Sequence, residues 1–249
     1  VGVFEAWKPQ AYPYVYAAEF RIPIINGGTP TDPNVAEGWL KSKLGIDKDD
    51  LIREAAAEIM AERGVTADVA IETVSENRHL NGFKRQRCSQ CPPEGVSKCS
   101  AGPHVLYIEG RYVKAGIKEA GNIRWPNGRW SFDKDGKVRL LIKSGTERTS
   151  GKVTKSFLAE HVSVQESIIP LGVTEPTGIN QRFVHTWRGS GIQYEEYVED
   201  VKISFNVATD VKFTDEQWAL LWLTGQEQGI GASRSQGYGR YEVIRWELM

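Results

Sequence analysis

The stretch that most constrains the fold of this chain is its last forty or so residues, which read as a helix, a glycine-rich turn and a strand. Thr214 precedes an apolar face made by Trp218, Leu221 and Trp222, so a capped helix is expected from Asp215 to about Gln228. The segment Gly229-Ile230-Gly231-Ala232-Ser233-Arg234-Ser235-Gln236-Gly237-Tyr238-Gly239-Arg240 follows, and Tyr238 to Glu247 is expected as a final strand. With the β-rich stretch Asp200 to Ala208 before the helix, the order is that of the second half of a ferredoxin-like unit. A first strand over Tyr12 to Ile25 and the helices after it supply material for the first half. The fold class expected is α+β.

Four glycines, at 229, 231, 237 and 239, surround Ser233, Arg234 and Ser235. Glycine allows close backbone approach and positive φ, so amides can converge on an anion while Arg234 and Arg240 supply charge. The pattern is not a dinucleotide fingerprint, because Arg234 stands where the third glycine would be and no helix follows. It is not a P-loop either, since no lysine follows Gly237. Contact with a nucleic-acid backbone is the functional reading; a wide turn needing glycine only for chain reversal is the alternative.

Net charge limits how such contact is made. With 31 basic and 32 acidic residues the chain carries −1, so binding must come from a local patch rather than a bulk field. No apolar run approaches the ~20 residues of a membrane span, and the opening residues lack the pattern of a signal peptide. An intracellular, cytoplasmic protein with no membrane partner is expected.

All three cysteines fall in one polar loop, over residues 75–103, where basic and turn residues replace the apolar pattern. Cys88, Cys91 and Cys99 with His104 make a set able to bind Zn²⁺ tetrahedrally, with His79 as the competing fourth ligand. A structural zinc would shape a loop that has no core of its own. Three free thiols in a solvated loop are the alternative. Arg78, His79, Lys84, Arg85, Arg87 and Lys98 give this region local basic density. Arg124-Trp125 and Arg129-Trp130 offer rings on which bases could stack, or buried hairpin tryptophans.

Elsewhere, Asp32 and Pro33 read as the N-cap and first turn of a short helix, and Lys48 to Arg63 as a second helix closed by Gly64. Ala67 to Val74 reads as a short strand, Arg111 to Ala120 as a helix, and Arg129 to Phe132 with Lys137 to Ile142 as a hairpin. His161 to Leu171 reads as a strand, and residues 179–208 as a long β-hairpin region with Trp187 and Arg188 at its tip. One domain over 1–249 with two insertions accommodates these elements.

The glycine-rich segment resembles the signature loop of the RAMP superfamily, the RNA-binding proteins of CRISPR effector complexes, in its Ser-Arg-x-x-Gly-Tyr-Gly before a last strand. Gly27-Gly28-Thr29-Pro30-Thr31-Asp32 is similar to the loop that carries a catalytic aspartate in that family's backbone subunits. Tyr107 to Lys118 is similar to their strand-to-helix motif, with Glu109 in place of its proline, Arg111-Tyr112 in place of its serines and Lys118 in place of its arginine. Type III backbone subunits are closest in pattern. The resemblance implies a RAMP/RRM-type ferredoxin-like domain carrying a zinc-knuckle insertion and a projecting β-hairpin. It implies sequence-independent binding of single-stranded guide RNA by Gly229, Gly231, Ser233, Arg234, Ser235, Gly237 and Gly239, with Arg111, Lys114 and Lys118 as further contacts. Its implied partners are the RNA and other protein subunits or copies of the chain, in antiviral defence. Two alternatives stay open. One is an endoribonuclease, with Asp32 as the catalytic residue the resemblance implies and His161 and His185 as the histidines to test. The other is a phage or accessory protein that uses the fold for protein or nucleotide binding.

Overall fold

A computed structural model describes residues 12–31, 33–76, 78–91, 99–133, 138–142, 151–186 and 189–249. The chain divides into two compact units. The first comprises residues 1–25, 105–173 and 199–249, and the second 26–104 and 174–198. The architecture is mixed α+β, with several sheets and six α-helices among the described residues. None of those helices is long and apolar enough to cross a membrane.

In the first unit, strand β1 (Tyr14–Asn26) lies between the last strand, β13 (Glu242–Leu248), and β12 (Gly189–Thr209). β13 pairs antiparallel with β1, Tyr16 opposite Leu248 and Arg21 opposite Glu242, with a register shift between Glu19 and Phe20. β9 (Val162–Val164) pairs antiparallel with the last residues of β12. From Tyr16 to Ile22 β1 alternates, Tyr16, Ala18, Phe20 and Ile22 being buried and the residues between them more open, which commits one sheet face to the core.

Two helices cover that core. α4 (Gly110–Arg124) buries Val113, Gly116, Ile117, Ala120 and Gly121, and α6 (Asp215–Gln228) buries Trp218, Leu221, Trp222 and Gly225. Both sets follow the three-and-four spacing of a single helix face. α6 starts with a capping box, in which the Thr214 hydroxyl accepts from the Gln217 amide and the Gln217 side chain accepts from the Thr214 amide. Aromatic rings join the layers: Phe20 stacks on Tyr241 at 4.3 Å between centroids and meets Trp222 edge-on at 5.1 Å.

Strand β5 (Leu106–Glu109) leads directly into α4 and pairs with β10 (Ile168–Pro170). A small sheet of β6 (Gly128–Phe132), β7 (Val138–Ile142) and β8 (Lys152–Val153) is followed by α5 (Thr154–His161). Trp125 and Trp130 are buried here, their rings 5.4 Å apart and edge-on, and the Trp130 indole N–H donates to the Thr154 hydroxyl. They are core residues and offer no stacking surface. His161 to Leu171 is not one strand: α5 runs through His161, and β9 and β10 belong to different sheets.

The second unit packs α1 (Pro33–Leu44), α2 (Lys48–Arg63) and α3 (Ala67–Glu76) around Leu40, Leu51, Ala55, Ile59, Ala70 and Val74 with Leu80, Ile192 and Tyr194. α2 has its sequence-derived bounds, with Asp47 accepting from the Asp49 amide and Gly64 closing it at φ 63°. Ala67 to Val74 is helix, not strand. Its β-branched residues favour extended backbone by propensity, but only Ala70 and Val74, four apart, reach the core, and that burial decides. Thr29–Thr31 is a short strand, β2, paired antiparallel with β3 (Arg78–Gly82), and α1 begins just after it at Pro33, the first helical position expected from the sequence. β3 pairs parallel with β12, and β11 (Gly178–Thr186) forms a hairpin with it from Gly178 opposite Tyr197 to Thr186 opposite Gly189. Trp187, Arg188 and Asp32 lie outside the described residues. The stretch 75–103 is in part structured, with β3 and the two-residue β4 (Lys84–Arg85) inside it and Leu80 and Phe83 buried.

Candidate nucleic-acid interface

The glycine-rich segment leaves α6 and turns into β13 in the first unit. Gly229, Gly231, Gly237 and Gly239 all have positive φ, and Ser233 joins them at 54°. Two backbone bonds fix the base of the loop: the Ile230 amide donates to the Gly239 carbonyl (2.9 Å), and the Gly239 amide to that of Ile24 on β1 (2.8 Å). Ile230 is buried beneath, against Gly116 of α4. The top is a 3-10 turn, Arg234–Gln236, closed by the Gly237 amide on the Arg234 carbonyl. Ser235, Gln236 and Arg240 are exposed there.

Arg234 does not reach out to solvent as a lone cation. Its guanidinium forms an ion pair with Glu119 of α4. Both side chains are partly exposed, so the pair holds position and adds little stability.

The strand-to-helix junction places the other sequence-derived contacts on α4. Arg111, Lys114 and Lys118 recur at three and four residues and share one face. Arg111 is exposed, ion-paired with Glu109, with its guanidinium 5.4 Å from the Tyr112 ring centre. Lys114 is half-buried; burial, with the Lys118 charge beside it, holds its ammonium below the usual lysine range. Among the described residues neither lysine has a carboxylate partner. A cleft of about 370 Å³ lies beside them, lined by Ala115, Lys118, Glu119, Asn122 and Lys155.

In the second unit Cys88, Cys91, Cys99 and His104 come together, their ligand atoms all within 4.8 Å of one another, with no disulfide. Sγ of Cys88 is 3.7 Å from that of Cys91 and 3.5 Å from that of Cys99, and His104 Nε2 is 3.3 Å from Cys91 Sγ. A tetrahedral zinc with ~2.3 Å bonds to sulfur and ~2.0 Å to nitrogen has ligand–ligand edges of roughly 3.5 to 3.8 Å, so the four donors are compatible with it. The Gln90 amide foremost, opposed by burial and helped by the Cys99 and Cys91 groups, lowers the Cys88 thiol and favours the thiolate a metal needs. His79 is exposed on β3 and is not among the clustered donors.

No protein-family model matches the chain, and no curated protein does. Chains of two CRISPR assemblies are among the solved structures similar to it. One is a chain of the type III-B Cmr-beta complex bound to cognate target RNA, solved by cryo-EM, with a TM-score of 0.43 and 10% identity over 99% of this chain and 64% of that one. The other is a chain of a type IV-B CRISPR complex, with a TM-score of 0.40 and 10% identity over 94% of this chain and 90% of that one. The chain thus spans less than two thirds of the Cmr-beta chain's length.

Three features of these regions have no signal in the sequence. Glu119 as the partner of Arg234 is 115 positions away from it. Lys155, at the start of α5, joins Lys118 in the cleft. Glu195 and Glu196 are consecutive in β12 yet both buried, against the alternation expected of a strand. Glu195 accepts from Asn26, Arg182 and Gln193, and Glu196 from the Phe83 amide, so each carboxylate is matched inside the second unit.

Proposed function

We propose that the chain binds single-stranded RNA without sequence preference on the α4 face of its first unit, as a subunit of a CRISPR-like ribonucleoprotein. The observation that carries this is the row Arg111, Lys114 and Lys118 beside the loop holding Arg234, with Lys114 and Lys118 repelling each other and lacking carboxylate partners among the described residues. Such a pair is relieved by an anion of regular spacing, which a nucleic-acid backbone supplies. β1, β9, the end of β12 and β13, with α4 and α6 against the sheet, support a ferredoxin-like, RAMP-type reading of this unit. The Cys88, Cys91, Cys99 and His104 set would hold a structural zinc in the second unit. One neighbouring structure is bound to its target RNA; the proposal gives this chain a partner of the same class but rests on the cationic face.

Fluorescence anisotropy with a labelled single-stranded RNA tests this. Tight binding at low salt is expected, with log K falling by about 0.7 per phosphate contacted for each tenfold rise in salt. Absence of binding at low salt, or unchanged binding by Lys114→Ala/Lys118→Ala, defeats the proposal.

A ribonuclease is favoured by a different observation. His161 Nδ1 lies 2.9 Å from both Asp210 carboxylate oxygens, an arrangement that orients an imidazole for proton transfer. RNA cleavage by the wild type that is lost in His161→Ala and Asp210→Asn supports that reading; cleavage lost only in Asp32→Ala moves it to Asp32.

A further inference from the structure

Resting on the RNA-binding reading, we infer that the cleft between α4 and α5 is a phosphate seat formed by Lys118, Asn122 and Lys155, and that Arg234 serves it by neutralising Glu119 rather than by touching the RNA. Lys118 and Asn122 are four apart on α4 and so project from one face, and Lys155 stands in the first turn of α5. Both lysines lack a carboxylate partner among the described residues. Val153, the N-cap of α5, makes no side-chain capping bond, so the positive end of that short helix adds to the field around Lys155.

Among the described residues Glu119 is the one acidic group lining the cleft, and alone it would oppose an anion beside Lys118. Its carboxylate is instead bonded to the Arg234 guanidinium. That pairing leaves two ammonium groups and an amide facing a space of about 370 Å³. The conformation of the glycine-rich loop thus acts on charge: the 3-10 turn holds Arg234 where it cancels Glu119. The ligand is a phosphodiester of the same RNA strand that follows Arg111 and Lys114 along α4.

The test is anisotropy with a fluorescein-labelled oligouridine across a salt series. Lys155→Ala, at an exposed position, is expected to lower the salt slope by about 0.7 and the affinity at 0.1 M salt by about five-fold, the worth of one single-strand phosphate contact. Lys202→Ala, exposed on β12, is the control and leaves both unchanged. Arg234→Ala is expected to weaken binding, and adding Glu119→Gln to it to restore the wild-type value, because the uncompensated charge is gone. A Lys155→Ala variant that binds like wild type overturns the phosphate seat while leaving the RNA reading standing. An Arg234→Ala/Glu119→Gln variant no better than Arg234→Ala alone overturns the neutralising role and puts Arg234 on the RNA. Failure of the wild type to bind overturns both readings.

Discussion

Gly239→Ala and Gly237→Ala, two residues apart in the same loop, are expected to differ widely in stability. A methyl at Gly239 would lie 1.8 Å from the Ile230 carbonyl oxygen and within 3.0 Å of two further Ile230 backbone atoms, at a φ of 73°. It cannot be housed without separating the loop's two limbs, which lose the Ile230-to-Gly239 bond and the Gly239-to-Ile24 bond. Losing each of those two bonds costs about 1–3 kcal/mol, and left-handed backbone at alanine adds about 1 kcal/mol, for a total of roughly 3–7 kcal/mol. At Gly237 the methyl meets nothing within 4 Å, so only the backbone term, about 1 kcal/mol, applies at its φ of 90°. Urea unfolding followed by tryptophan fluorescence reads chiefly the first unit, which carries six of the eight tryptophans, Trp125, Trp130, Trp218, Trp222 and Trp246 among them. With an m-value of about 2–3 kcal/mol/M, Gly239→Ala should lower the midpoint by about 1–3.5 M and Gly237→Ala by about 0.3–0.5 M. Equal midpoints for the two variants would refute this account of the loop, and with it the claim that packing rather than RNA contact demands glycine at 239.

Purified protein should contain one zinc per chain, read by elemental analysis; Cys91→Ser should lose the metal and melt at a lower temperature, and zinc-free wild-type protein of unchanged stability would count against the site. Glu195→Ala removes the acceptor of Asn26, Arg182 and Gln193 and should cost about 3–5 kcal/mol in a denaturant melt, whereas a loss under about 1 kcal/mol would show that water replaces the carboxylate. The depressed Lys114 makes the folded chain bind fewer protons than the unfolded one just below pH 10.5, so unfolding free energy gains a contribution as pH rises through that window. Lys114→Met should abolish this contribution, and Lys118→Met should reduce it, in melts compared between pH 8 and 10; an identical pH profile in Lys114→Met would exclude Lys114 as its source.

What the sequence determined by itself is local. Asp47 and Gly64 bound α2, and Thr214 with Gln217 starts α6, because caps and turns are settled by residues within one helical turn. The cysteine spacing marked a donor set whose sulfurs and imidazole the fold brings within 4.8 Å. Arg111, Lys114 and Lys118 fall on one face by helical period alone. The tertiary structure decided everything that depends on what a segment meets. Ala67 to Val74 became helix because a core awaited Ala70 and Val74, and Thr29–Thr31 became a strand because β3 offered it an edge. The charge of the loop was settled the same way: Arg234 looks like a free phosphate contact until Glu119 is placed against it. Coulomb and hydrogen-bond terms act over a few ångströms, and only folding brings positions 119 and 234 that close.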